Sequence, residues 1–124
     1  MLSEAKRPAT AQRRRALFIE ATAIIDAEYD CKVALDDVAR RVATSRRQLQ
    51  RAFAEAGETS FRAYLQHARM HRAAELLREG KVPVNAVASA VGYRQAAQFA
   101  KAFRRHHGAP PSSFKGTMEA RLAA

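Results

Sequence analysis

One cysteine, Cys31, stands alone in 124 residues. No intramolecular disulfide can form, which suits a reducing compartment. No apolar run approaches the ~20 residues that a membrane-spanning helix requires, and the N-terminus has no apolar signal core. The expectation is a soluble, cytoplasmic protein. No segment alternates apolar and polar residues as a half-buried strand does, which leaves helices. Paired carboxylates in a cleft-like context, a nucleophile elbow and a glycine-rich phosphate loop are all missing; this speaks against an enzyme. Acidic residues are scarce too: 12 Asp and Glu face 22 Lys and Arg, for a formal net charge of +10. That excess favours an anionic partner, either nucleic acid or an anionic membrane surface. The membrane reading is disfavoured because the apolar helix faces are needed for a core.

What is present reads as all-α, with about seven helices. Hydrophobic residues make up 48%, enough to exclude disorder, and much of that share is alanine, a helix former. Residues 1–10 read as a mobile, mildly basic tail, with Thr10 as an N-cap. Leu17, Ala21, Ile24 and Ile25 then share one face of a helix ending near Tyr29. A short helix follows over Leu35–Val42, with Asp36 and Asp37 in its first turn, where carboxylates complement the helix dipole. Ser45, with Gln48 three residues on, forms a capping-box signature for a helix that runs to Ala56 and closes at Gly57. Ser60 caps a long helix striped by Phe61, Tyr64, Leu65, Ala68, Ala73, Leu76 and Leu77, ended by Gly80. Pro83 opens a short helix over Val84–Val91. A last helix, Gln95–His107, ends at Gly108, before Pro110 and Pro111 block continuation.

Two stretches repeat. LDDVARRV (35–42) parallels VNAVASAV (84–91) at Leu35/Val84, Val38/Val87, Ala39/Ala88 and Val42/Val91. After a short break, each is followed by a helix whose apolar positions match again, Leu49 with Phe99 and Phe53 with Phe103. The second copy carries one extra residue in its turn. Short helix, tight turn and second helix make the helix-turn-helix plan. The chain therefore divides into a tail (1–10), a first unit (11–58), a linker helix (59–80), a second unit (81–116) and a C-terminal tail (117–124). A linker of roughly 20 residues is about 30 Å long, close to the ~34 Å turn of B-DNA. One chain could place two recognition helices in successive major grooves, so double-stranded DNA could be bound by a monomer.

These residues resemble the DNA-binding domain of AraC/XylS-type transcription activators over roughly Leu35–Lys115, and more loosely over Ala11–Tyr29. The matching features are LDDVARRV-x-x-SRRQLQRAF, RMHRAAELL in the linker and VNAVASAVGYRQAAQFAKAFRRHHGAPPSSFK. Several departures bear on capping and turns. Ala34 and Pro83 stand where the family often has Ser or Thr, Ala43 replaces a usual turn glycine, and Gly57 sits one residue early.

The resemblance makes Arg47, Gln50 and Arg51 the base-facing residues of SRRQLQRAF. Arg can bond guanine bidentately and Gln can bond adenine. Arg46 is expected on phosphate. In RQAAQFAKAF, Ala96, Ala97 and Ala100 occupy positions from which longer side chains could reach bases. Gln98 and Lys101 remain as base-contacting candidates there, with Arg94, Gln95, Arg104 and Arg105 on phosphate or the groove edge. Cations at a helix C-terminus are an equal explanation for Arg104 and Arg105. Adjacent His106 and His107 point about 100° apart on a helix and do not suggest a metal site; no cofactor is expected. Arg13, Arg14 and Arg15 suit either nonspecific phosphate contact or a solvated helix start. The resemblance further implies contact with RNA polymerase. A ligand-sensing regulator's output domain and a nonspecific DNA-coating protein are the competing readings.

Overall fold

The computed structural model describes residues 2–117, with side chains from residue 9 onward. Within that range there are six α-helices, one short 3-10 helix and no strand: α1 Leu2–Glu28, α2 Leu35–Arg41, α3 Arg46–Gly57, α4 Phe61–Glu79, α5 Val84–Ala90, α6 Ala96–His107 and the 3-10 helix Pro111–Phe114. The all-α expectation holds. The expected C-terminal tail lies outside the described residues except for Thr117.

The start of α1 corrects the expected tail. Thr10 lies inside the helix rather than at its N-cap, because α1 begins at Leu2. Leu2, Glu4, Ala5, Lys6 and Arg7 come from the middle and top of the helix-propensity ranking, and the helix extends upstream of the apolar stripe in spite of Pro8, which has no amide N–H to donate to the preceding turn.

The chain clusters into two compact units. The segment up to Glu28 joins Val33–Leu65 in the first; Tyr29–Lys32 joins the chain from Gln66 onward in the second. The unit boundary therefore falls inside α4, and the first four of the six residues between α1 and α2 belong to the second unit.

The first unit buries Leu17, Ala21 and Ile25 of α1, Val38 and Ala39 of α2, Leu49, Ala52 and Phe53 of α3, and Phe61 of α4. Phe53 meets Phe18 edge-on at 5.1 Å and Phe61 at 5.6 Å between centroids. The Tyr64 hydroxyl donates to the Asp26 carboxylate at 3.0 Å. The second unit buries Met70, Ala73, Ala74 and Leu77 of α4 with Val87, Ala88, Val91, Phe99, Ala102 and Phe103. Phe114 closes this core against Phe103 at 5.0 Å. Met70, fully buried, was not in the predicted stripe.

The repeat is carried by matching hydrogen bonds. The Thr44 amide returns to the Ala39 carbonyl and the Tyr93 amide to the Ala88 carbonyl, both at 2.9 Å. Four residues separate α2 from α3 and five separate α5 from α6, which is the expected one-residue insertion. The Ser45 hydroxyl accepts from the Gln48 amide at 3.1 Å, and the Ser60 hydroxyl accepts from the Ala63 amide at 3.0 Å. Both caps stand where the sequence places them.

Two backbone positions differ from expectation in an informative way. Gly92 takes φ +93° in the second turn, and its counterpart Ala43 takes φ +57°, a conformation costly for any residue with a Cβ. Gly108 ends α6 at φ +78°, whereas Glu58 fills that role after α3 at φ +51°. Gly57 therefore does not close the helix. It is the last helical residue, and a Cβ there would overlap the ring of Phe18, itself held by Phe53.

We expect Ala43→Gly and Glu58→Gly each to stabilise the protein by about 0.5–1 kcal/mol in denaturant melts followed by circular dichroism. Gly57→Ala is expected to cost about 1–2 kcal/mol by overpacking. Helix propensity alone demands a gain there, so a stabilised Gly57→Ala variant would contradict the close approach of Phe18.

Candidate nucleic-acid interface

The buried triplet on each second helix sets its outward face. Leu49, Ala52 and Phe53 of α3 match Phe99, Ala102 and Phe103 of α6. At about 100° per residue, Arg47 and Arg51 lie opposite Leu49 and Phe53, with Gln50 on one flank and Gln48 on the other. All four are exposed. The same register on α6 matches Arg46 with Ala96, Arg47 with Ala97, Gln50 with Ala100 and Arg51 with Lys101. Gln98 matches Gln48, so it stands on the flank away from Ala100. Lys101 alone keeps a cation at one of the three positions expected to face bases.

Charge pairing in the first unit separates its arginines into two groups. Arg40 pairs with Asp37 at 2.6 Å, Arg41 with Glu28 at 2.6 Å, and Arg14 with Glu55. The hydrogen bond from Arg41 holds the Glu28 carboxyl below its usual range. Arg46, expected on phosphate, stands 3.5 Å from Asp36. Among the described residues, no carboxylate lies within ion-pair distance of Arg47 or Arg51. Two guanidinium groups on the outward face of α3 thus keep their charge unneutralised by any described carboxylate.

On the second unit, Arg94 and Gln95 are exposed just before α6, and Gln98, Lys101, Arg104 and Arg105 are exposed along it. Gln95 occupies the N-cap without a side-chain cap bond. Arg104 and Arg105 lie in the last turn, where cations complement the helix dipole. His107 turns inward. Its Nε2 lies 3.0 Å from the Met70 carbonyl oxygen, and its ring packs 4.4 Å from Phe103 and 5.3 Å from Phe114. His106 instead meets His67 of α4 at 5.2 Å. Partial desolvation, with His107 and His67 alongside, holds its imidazole below the ordinary value.

The fold has counterparts among known proteins. A helix-turn-helix domain family matches residues 38–117. The chain superposes with a TM-score of 0.78 on an AraC-type transcriptional regulator structure from Chromobacterium violaceum, at 26% identity, covering 83% of this chain and 92% of that one. The chain belongs to the AraC-type helix-turn-helix family. The C-terminal domain of AraT, a response regulator from Geobacillus stearothermophilus, is similar at 28% identity and a TM-score of 0.77, over 82% of this chain and 84% of that one. By sequence, this family member is 34% identical over 92 residues to the HTH-type transcriptional regulator GbdR of Pseudomonas aeruginosa; the match takes in 74% of this chain and 25% of that protein. It is 29% identical over 92 residues to the Msm operon regulatory protein of Streptococcus mutans, over 74% of this chain and 33% of the relative. The chain thus spans about a quarter to a third of these relatives. No helix among the described residues is long and apolar enough to cross a membrane.

Sequence reasoning missed one part of this surface. Lys32, in the connector before α2, shares a cleft of about 780 Å³ with Arg94 and Gln98. Nothing in the local pattern of DCKVA signals that neighbourhood, since it arises from packing across some sixty residues.

An unfolded imidazole titrates near 6.5, whereas folded His106 resists protonation. The stability this contributes is present above about pH 6.5 and is lost as pH falls below that value toward the folded pKa. Thermal melts across this window should show stability falling with acidification, and His106→Asn should flatten the fall. An unaltered pH profile in that variant would rule out the depressed imidazole.

Proposed function

We propose that the chain is a sequence-specific double-stranded DNA-binding regulator of transcription, reading one groove with α3 and anchoring on the next with α6. The observation that carries this reading is the pair Arg47 and Arg51. They are exposed on the pole of α3 opposite its buried triplet and have no carboxylate partner among the described residues, while neighbouring arginines are paired within the protein. Arg47, Gln50 and Arg51 supply guanidinium and amide groups suited to guanine and adenine edges. Gln98 and Lys101 remain the base-contacting candidates on α6, where Ala97 and Ala100 fill the places of Arg47 and Gln50 and offer only methyl contacts. Arg46, Arg94, Gln95, Arg104 and Arg105 are assigned to phosphate. The 19 residues of α4 make about 28 Å of helix, comparable to one ~34 Å turn of B-DNA.

Similar proteins that are transcriptional regulators support the regulatory role, and we extend it to this chain as an activator that contacts RNA polymerase and binds DNA as a monomer. The same reading covers a stand-alone regulator and the output part of a longer, ligand-responsive one. A nonspecific DNA-coating protein would show the same salt dependence without sequence preference.

The test is binding of single variants to a selected duplex and to its base-changed derivatives. Arg47→Ala and Arg51→Ala should each lose roughly 1–3 kcal/mol of discrimination at one base pair. Gln98→Ala and Lys101→Ala should lose less. Asp36→Asn, which releases Arg46, should raise affinity for all duplexes alike. Equal or larger loss of discrimination from the α6 variants would overturn the assignment of reading to α3.

A further inference from the structure

The connector Tyr29–Lys32 is held against the second helix-turn-helix turn by one side chain. Arg69 of α4 donates from Nε to the Tyr29 carbonyl at 2.7 Å and from Nη2 to the Cys31 carbonyl at 3.0 Å. Its guanidinium also lies 5.9 Å from the Tyr93 ring centroid. The turn accepts this close approach because residue 92 is glycine. A Cβ there would stand 3.1 Å from the Tyr29 carbonyl oxygen and 3.2 Å from Arg69 Nε. Arg69 thus holds the connector backbone through two of its N–H donors while bordering the cleft beside it.

The result is a cleft of about 780 Å³ in which Lys32 faces the same space as Arg94 and Gln98 at the start of α6. Ser89 and Tyr93 line it as well. Lys32 and Arg94 are exposed, and among the described residues neither pairs with a carboxylate. One carboxylate, Asp30, lies at the rim and accepts from the Cys31 thiol at 3.6 Å. The lining is mostly charged and polar residues, with no Leu, Ile, Val or Met among them, which does not suit a drug-like organic ligand, whose pockets are mostly hydrophobic. It suits a phosphodiester. A duplex that takes α6 in its major groove runs one strand's backbone along the edge of that helix, where Arg94 and Gln98 border the cleft.

We propose that this cleft clamps a DNA backbone phosphate. Lys32 of the connector and Arg94 of the turn are its cationic jaws, and Arg69 is the positioning residue that holds the connector in place. The proposal rests on the DNA-binding reading above and adds a contact from outside both helix-turn-helix motifs.

The test measures affinity of the intact chain for a selected duplex and for a random-sequence duplex over a range of salt concentrations. Lys32→Ala should flatten the log–log salt dependence by about 0.9, the loss of one neutralised phosphate, and weaken both duplexes equally. Asp30→Asn should strengthen both equally. Arg69→Ala should reproduce the Lys32→Ala defect and add nothing to it in the double variant, whereas a purely structural Arg69 would lower the melting temperature and leave the salt slope alone. If Arg69→Ala does not fold, the Lys32 and Asp30 variants still decide. A folded Lys32→Ala protein with the parental salt slope overturns the clamp. If Arg47→Ala then still loses discrimination on the same duplex, the DNA-binding reading survives that failure. If the parental chain itself shows no salt-dependent duplex binding, both fall.

Discussion

Everything outward on this protein depends on what the second helix of each repeat must bury. Leu49, Ala52 and Phe53 on α3, and Phe99, Ala102 and Phe103 on α6, occupy three places on a twelve-residue helix. Deleting one such phenylalanine ring typically costs about 3–5 kcal/mol, a large part of the stability of a small unit. Rotation of either helix about its axis is therefore closed off. Once the triplet is inside, residues two before and two after Leu49 have no choice of direction, and Arg47 and Arg51 face out together. The aromatic contacts around Phe53 and Phe103 fix this orientation from both sides.

The same constraint acts on two helices of different chemistry. On α3 the outward positions carry arginine and glutamine, while Glu55, Asp37, Glu28 and Asp36 of that unit are occupied with Arg14, Arg40, Arg41 and Arg46. On α6 the corresponding positions carry alanines and one lysine, with cations gathered at the two ends of the helix. One scaffold thus presents a face rich in directed hydrogen-bond donors and another whose charges flank it. Directed donors discriminate bases; flanking cations hold a backbone without regard to its sequence.

The architecture was legible because its signals are local and repeated. The apolar spacing, the Ser45 and Ser60 caps and the glycines at 80, 92 and 108 each act within a few residues. The buried Leu49, Phe53, Phe99 and Phe103 followed from the same periodicity. Other features were hidden for physical reasons. The upstream start of α1 lies beyond the apolar stripe and on the far side of Pro8, a residue that reads as a helix boundary. The role of Gly57 depends on a ring 39 residues away. The strain at Ala43 and Glu58 shows only as backbone angles, although the departure from the family's glycines marked the places. The cleft beside α6 needs Arg69 to bring Tyr29–Lys32 to Gly92, a long-range contact that no short window of sequence contains.

The central claim is that one recognition helix reads and the other anchors. Selecting binding sites for the intact chain from random duplex DNA at physiological salt tests it most directly. The account predicts an asymmetric site about two helical turns long, with nearly all base preference confined to one half. A site with equal preference in both halves, or no preferred sequence at all, would contradict it.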